Sequence, residues 1–270
     1  MKIFAIRDDY NNLKDLAYLI YYEKEKRFYI ELPEACDEWE VPMPLAHFVR
    51  NGEITVNSYW SEVWVQQRII PTDRQNLEQI LKDNGLKQYD EFELLKLGHG
   101  RCAQDDYYIE QLSEDELPKE LRIRFKHKID NVVPLSDFNL LVFFCSGEVK
   151  KCNVKILLEK NEKLKKYLSV DENRFNSLKI ATGGYGIIWN DDMYISYSEL
   201  YKCGKSIPLS HEDFKSFISH SVVSSTEAAG LLQCSRQNIN DLVERGKLKP
   251  IKSTPKTTLF LKNDILKRAW

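Results

Sequence analysis

The 270-residue sequence has no uninterrupted apolar stretch of membrane-spanning length, and its start, Met1-Lys-Ile-Phe-Ala-Ile-Arg-Asp-Asp, meets acid before the apolar core of a signal peptide can form. No membrane association or secretion is expected, and a cytoplasmic location is. There is no Cys-x-x-Cys pair among Cys36, Cys102, Cys145, Cys152, Cys203 and Cys234, nor a histidine at finger spacing from any of them. The five histidines are dispersed. These absences leave no metal site and no cofactor to expect. The cysteines read as reduced, mostly buried thiols, because a chain of this length needs no disulfide staples.

What is present is the composition of a folded chain, 43% hydrophobic, 11% aromatic and 30% charged, which is too apolar for disorder. The length suits two or three domains, each able to bury a core. The formal net charge of -2 is unevenly spread. From Ser221 onward, nine Lys and Arg stand against four Asp and Glu, a net +5 that leaves -7 for residues 1 to 220. A basic tail on an acidic body points to a polyanion for the tail alone, or to an ordinary solvated surface.

The tail is organised by small details. Ser224 or Ser225 can cap a first helix, with Glu227 three residues after Ser224 as its capping-box partner. Ala228 and Ala229 are small where two steeply crossing helices approach, and Leu231 and Leu232 add to the buried side. After Gln233-Cys234, Ser235 caps a second helix in which Ile239, Leu242 and Val243 build one apolar face, and Gly246 ends it. That leaves Arg236, Gln237, Asn240, Asp241, Glu244 and Arg245 outward, with Asn238 near the edge. Arg, Gln and Asn are the side chains that read purine edges or grip phosphate in a major groove. Beyond it, Lys247-Leu-Lys-Pro-Ile-Lys252, a turn at Ser253-Thr-Pro-Lys256 and Thr257-Thr-Leu-Phe-Leu261 predict a hairpin, followed by a last helix from Asn263.

This segment, roughly residues 221 to 270, resembles the small winged helix-turn-helix of the MerR and excisionase type. In that family a Glu-Ala-Ala first helix, a Ser-Arg recognition start, a Gly stop and a terminal Asp-Ile helix recur in this order. The resemblance implies double-stranded DNA as partner, with Ser235, Arg236, Gln237, Asn238, Asn240, Arg245, Lys247, Lys249, Lys252 and Lys256 as contacts. Such modules usually act in pairs, so a homodimer is expected. The alternative is a helical pair used for protein contacts, which the acidic Asp241 and Glu244 favour.

In the middle of the chain, Ile129-Asp-Asn-Val-Val-Pro and the segment Asn139 to Cys145 predict strands, the latter turning at Ser146-Gly147 into a returning strand from Glu148. Short helical segments follow from Ile156 to Leu168, then Gly183-Gly184 precede the strand Tyr185-Gly-Ile-Ile-Trp. Leu140 to Glu148 and Ile187 to Tyr201 carry a resemblance to a small bacterial family, domain of unknown function 2442, whose members are sometimes fused to a C-terminal helix-turn-helix. Asp191 and Asp192 are adjacent, but neighbouring turn carboxylates diverge and need a third ligand to hold a metal. Gly183-Gly184-Tyr-Gly186 lacks phosphate-loop spacing and is expected to be a turn.

The N-terminal part opens with strands Lys2–Ile6, Leu16–Tyr22 and Arg27–Leu32, the last two joined by Glu23-Lys-Glu-Lys26. A helix from Ser58 and another after Asp73 follow, and Trp39, Trp60 and Trp64 are expected to pack in the core rather than to stack on a partner. From Tyr89 to Asp106, with Arg68-Ile-Ile-Pro-Thr-Asp-Arg, the sequence resembles the N-terminal lobe of HipA-type kinases, whose catalytic lobe has no counterpart; this implies binding, not phosphoryl transfer. His99, Arg101, Asp105 and Asp106 are the residues on which an enzyme reading would rest.

The expected fold class is α+β and multi-domain: an α+β domain at 1–122, a small α+β domain at 123–209, and a linker helix with the winged helix-turn-helix at 210–270, the boundaries falling in polar stretches around Ser113–Leu121 and Ile207–Asp213. The expected function is that of a bacterial DNA-binding protein, a transcriptional regulator or antitoxin-like factor whose front domains sense a signal or hold a protein partner. A protein-interaction adaptor is the alternative, and an enzyme is not expected.

Overall fold

The first three strands, β1 (Lys2–Asp8), β2 (Ala17–Tyr22) and β3 (Arg27–Glu31), alternate weakly because both faces of the sheet are covered; five of the six β2 residues are buried. The computed structural model describes residues 1–10, 14–159, 161–168, 172–190 and 193–266. Lys26 takes a left-handed backbone (φ 52°) to close the charged turn between β2 and β3. After α1 (Ala46–Arg50), the two-residue strand β4 (Thr55–Val56) pairs with β3. Next come α2 (Ser58–Gln66), α3 (Leu77–Asp83), α4 (Glu91–Leu97), β5 (Tyr107–Leu112) and α5 (Lys119–Lys126). The sheet runs β4-β3-β2-β1-β5, antiparallel throughout, with Phe4 opposite Leu19 and Ile6 opposite Ile109.

Asn57 caps α2 by accepting from the Trp60 amide at 3.1 Å, and Asp90 caps α4 through the amides of Phe92 and Glu93. Both helices lay apolar side chains on the sheet, where Trp64, Val65, Phe92 and Leu95 join Phe4, Leu19, Phe28 and Ile30 in one core. The three tryptophans separate: Trp64 is 1% exposed, Trp60 43% and Trp39 85%. Ser61, Trp64 and Val65 form the i, i+3, i+4 stripe of α2 that faces inward, and Trp60 lies one position off it. The third helix starts at Leu77, with Asn76 and not Asp73 at the position before it, and buries none of its residues.

The chain continues through β6 (Ile129–Leu135), β7 (Asn139–Phe144) and β8 (Val149–Asn153), the last two a hairpin turning at Gly147 (φ 85°) with Phe143 opposite Val149. Three short helices follow, α6 (Lys155–Leu158), α7 (Glu162–Leu168) and α8 (Glu172–Asn176). Then β9 (Lys179–Ile180), β10 (Gly186–Asn190) and β11 (Met193–Ser196) make a separate antiparallel sheet, and α9 (Tyr197–Cys203) leads to β12 (Lys205–Ile207), which pairs with β8. Asp191 and Asp192 lie outside the described residues. Two packing units result, Met1–Ile129 with Ser177–Ser198, and Asp130–Asn176 with Glu199–Trp270. The β9–β11 sheet therefore belongs with the N-terminal sheet and not with the hairpin that precedes it in sequence.

A buried ionic cluster explains how β9–β11 is held in that unit. Glu31 is fully buried and accepts from the Arg124 guanidinium at 2.8 Å and the Thr55 hydroxyl at 2.9 Å. The Lys128 ammonium stands 3.9 Å from Glu31 and lies between the rings of Phe125 (3.5 Å) and Tyr185 (3.7 Å). Tyr185, just before β10, stacks on Tyr29 of β3 with centroids 3.8 Å apart. Burial pushes its phenol well above the usual tyrosine range, and the Glu31 carboxylate adds to this. Gly184 (φ 74°) must be glycine, since a Cβ there would meet the Ile129 carbonyl at 2.3 Å.

In the second unit α10 (His211–Ser221) begins at a capping box of Ser210 and Asp213. Its first turn packs on Phe143 through His211 and Phe214, and His211 Nδ1 stands 3.3 Å from Asp130. Then follow β13 (Val222–Ser224), α11 (Ser225–Leu231), α12 (Arg236–Glu244), β14 (Lys252–Ser253), β15 (Thr258–Leu261) and α13 (Lys262–Leu266). The last strand is central in a sheet ordered β13-β15-β14. Val223, Ala228, Ala229, Ile239, Leu248, Phe260 and Ile265 form a small core of their own. Lys267, Arg268 and Trp270, expected at the end of the last helix, lie outside the described residues. The whole is a mixed α+β fold with several antiparallel sheets, and no helix among the described residues is long and apolar enough to cross a membrane.

Candidate nucleic-acid interface

Ser224 caps α11 as a complete capping box: its hydroxyl accepts from the Glu227 amide, and Glu227 reaches back to the Ser224 amide at 2.7 Å. These bonds hold the Glu227 carboxyl below its usual range. The helix stops when Gln233 adopts a left-handed backbone (φ 50°), its amide donating to the Gly230 carbonyl and that of Cys234 to Ala229. This paired bonding pattern terminates a helix sharply. Ser235 then accepts from the Asn238 amide at 3.2 Å and starts α12. Buried Ala228 and Ala229 let α12 approach, with Ile239 fully buried.

The second helix ends the same way, with Gly246 at φ 64°, its amide bonded to Val243 and that of Lys247 to Leu242. Leu248 is buried while Lys247 and Lys249 on either side of it are exposed. One apolar anchor therefore presents two ammonium groups to solvent. Lys252 lies on the edge strand β14, where Lys252 faces Leu259 and Ser253 faces Thr258 of β15. The hairpin tip is held by the Thr254 hydroxyl, which accepts from the Thr257 amide and donates to the Thr257 carbonyl, and exposed Lys256 lies between the two threonines.

All ten residues singled out in the sequence, Ser235, Arg236, Gln237, Asn238, Asn240, Arg245, Lys247, Lys249, Lys252 and Lys256, are exposed. Arg236, Gln237 and Asn240 share the outer side of α12, while the lysines lie on the following loop and hairpin. None of the six cations pairs with a carboxylate among the described residues. Asp241 is half-buried and Glu244 exposed on the same helix. Ser235 has a backbone role as well, because its hydroxyl is engaged in the cap.

In the other candidate cluster Arg101 and Asp105 are paired, His99 has a backbone role, and Asp106 is exposed. His99 occupies the left-handed position (φ 50°) that ends α4, and its carbonyl accepts from the Ile109 amide at 2.9 Å. Arg101 is paired with Asp9, which it holds below the usual carboxyl range. Asp105 pairs with Arg68, whose guanidinium is buried 3.8 Å above the Trp64 ring. Burial lowers the Arg68 pKa against the pull of Asp105. No group of three or more His, Cys, Asp or Glu that could hold a metal ion occurs among the described residues.

Comparison with known proteins bears on the middle of the chain, where the β6–β8 hairpin sheet, the β9–β11 sheet and β12 follow one another. Residues 129–206 match the family described as Protein of unknown function (DUF2442). The DUF2442 stretch includes both segments that carry the resemblance, Leu140–Glu148 and Ile187–Tyr201, and its chain contributes to both packing units. No curated protein and no solved structure matches the chain.

Proposed function

We propose that residues 222 to 266 are a winged helix-turn-helix of the MerR and excisionase type that binds double-stranded DNA, and that the protein is a transcriptional regulator or antitoxin-like factor. The observation that carries this reading is a set of six exposed cations without a carboxylate partner among the described residues, Arg236 and Arg245 at the two ends of α12 and Lys247, Lys249, Lys252 and Lys256 on the loop and hairpin that follow it. Phosphate contacts supply most of the affinity in such complexes, and free cations gain it by releasing counterions from DNA. Arg236, Gln237 and Asn240 are long enough to reach base edges from a helix in the major groove, which would give preference for one sequence. On this reading the first unit senses a signal or holds a protein partner, and the module works as a pair.

The test is selection of preferred duplexes from a random pool by the full-length protein, followed by fluorescence anisotropy at increasing salt. Binding that weakens linearly with the logarithm of salt concentration is the expected result. Anisotropy that stays flat on random and selected duplexes alike would sink the proposal. One observation favours the second reading, an adaptor that docks another subunit: Leu231 and Ile251 are exposed apolar residues in the same module. On that reading the protein retains no duplex at low salt.

A further inference from the structure

Cys152 and Cys203 are distant in sequence and meet in the fold. Cys152 is a fully buried residue of β8, and Cys203, half-buried, closes α9. The register that sets Lys205 opposite Lys151 and Ser206 opposite Lys150 brings Gly204, and Cys203 with it, beside Cys152. Glycine is required there because a Cβ on residue 204 would stand 2.7 Å from the Cys152 sulfur. Both thiols turn to one acceptor. The Cys152 Sγ donates to the Leu200 carbonyl at 3.3 Å, and the Cys203 Sγ to the same oxygen at 3.6 Å.

We propose that Cys152 and Cys203 form an oxidisable dithiol, in which a hydroperoxide oxidises the accessible Cys203 and the buried Cys152 resolves it to a disulfide. The Cys203 thiolate attacks one peroxide oxygen, the O–O bond breaks, and a sulfenic acid forms as water or an alcohol departs. The Cys152 sulfur then attacks the sulfenic sulfur; the S–S bond forms, the S–O bond breaks, and the released hydroxide takes the Cys152 proton to leave as water. Two electrons pass from the thiols to the peroxide. The division of labour suits the two environments. Its neighbour Cys152 holds the Cys203 thiol below its usual range against the opposing effects of burial and Glu199, with Lys150 assisting, whereas Cys203 and deeper burial push Cys152 up. Cys203, half-buried where Cys152 is fully buried, is the one that solvent reaches.

The experiment is treatment of the full-length protein with hydrogen peroxide, followed by intact mass and non-reducing peptide mapping. The expected result is loss of two hydrogens, a crosslinked Cys152–Cys203 peptide pair, and reversal by dithiothreitol. Cys203→Ser should abolish that crosslink, and Cys152→Ser should leave Cys203 with two added oxygens as the sulfinic acid. Sulfinic acid at Cys203 of the unsubstituted protein without a crosslink, or a disulfide mapping to another pair, overturns the proposal. The unsubstituted protein also serves as its own folding control, since pre-positioned sulfurs should react at least about tenfold faster than the same thiols in urea. An equal rate in urea overturns it as well.

Discussion

The two ends of this chain use the same cationic side chains in opposite ways. In the first unit Arg7 pairs with Asp15 at 2.7 Å, Arg27 with Glu62 at 2.8 Å, Arg68 with Asp105, Arg101 with Asp9 and Arg124 with Glu31. In the C-terminal module Arg236, Arg245 and the four hairpin and loop lysines have no such partner among the described residues, although Asp241 and Glu244 lie in the same helix. The difference teaches that a count of basic residues says little about ligands. What matters is whether the fold has already supplied the counter-charge. Where it has, the cation belongs to the architecture; where it has not, a polyanion can complete the pairing and release its own counterions.

The largest expected effect breaks the architectural side of this contrast. Glu31→Gln removes the buried carboxylate partner of Arg124 and Lys128, leaving Arg124 only the exposed Glu34 at 3.7 Å. Leaving a buried charge uncompensated costs about 3–5 kcal/mol, which should be read as a lower urea midpoint of the full-length protein. A change under about 1 kcal/mol would mean that Arg124 is solvated like a surface residue.

On the other side of the contrast the substitutions should spare folding and change binding. Replacing Lys247, Lys249, Lys252 and Lys256 with alanine should weaken binding to every duplex and flatten the salt dependence, by about 0.9 in log–log slope for each phosphate left without its cation. Arg236→Ala with Gln237→Ala should instead reduce the preference for the selected sequence, by roughly 1–3 kcal/mol for each base edge no longer read, while binding to random duplex persists. Equal weakening on both duplexes from the helix variant would turn Arg236 and Gln237 into phosphate ligands. Unchanged binding by the helix variant would remove them from the interface.

Local structure is legible in the sequence wherever neighbours along the chain decide it. The Ser224–Glu227 box, the Ser235 cap, the Gly246 stop and the turn at Ser146-Gly147 are each set by a few adjacent residues. Long-range partners are not legible. Nothing in the spacing of Glu31, Arg124, Lys128 and Tyr185 announces a common cluster, nor do Cys152 and Cys203 resemble a motif. Trp39 and Trp60 are expected in the core because large aromatics usually pack there; the buried stripe of α2 passes Trp60 by one position, and Trp39 lies in an acidic loop away from it. His99 suggests catalysis because it is a polar residue flanked by glycines, and the same flanks mark a helix terminus.

The smallest effects expected lie within four residues of one another, and they test whether the C-terminal module is tuned for binding or for stability. Gly230 is an exposed helical glycine with open space around any added Cβ, so Gly230→Ala should stabilise the protein by about 0.5–1 kcal/mol. Gln233 has the reverse mismatch, an L side chain at φ 50°, where the left-handed backbone costs roughly 1–2 kcal/mol. Gln233→Gly relieves that cost but adds freedom to the unfolded chain worth about 0.5–1 kcal/mol, so the net gain should be on the order of 0.5 kcal/mol. Both changes leave every unpaired cation in place, and thermal unfolding of the two variants checks the signs. If duplex affinity is unchanged while both midpoints rise, the strain in this turn is incidental to binding. A loss of affinity alongside higher midpoints would instead show that Gln233 sets the angle at which α12 meets its ligand.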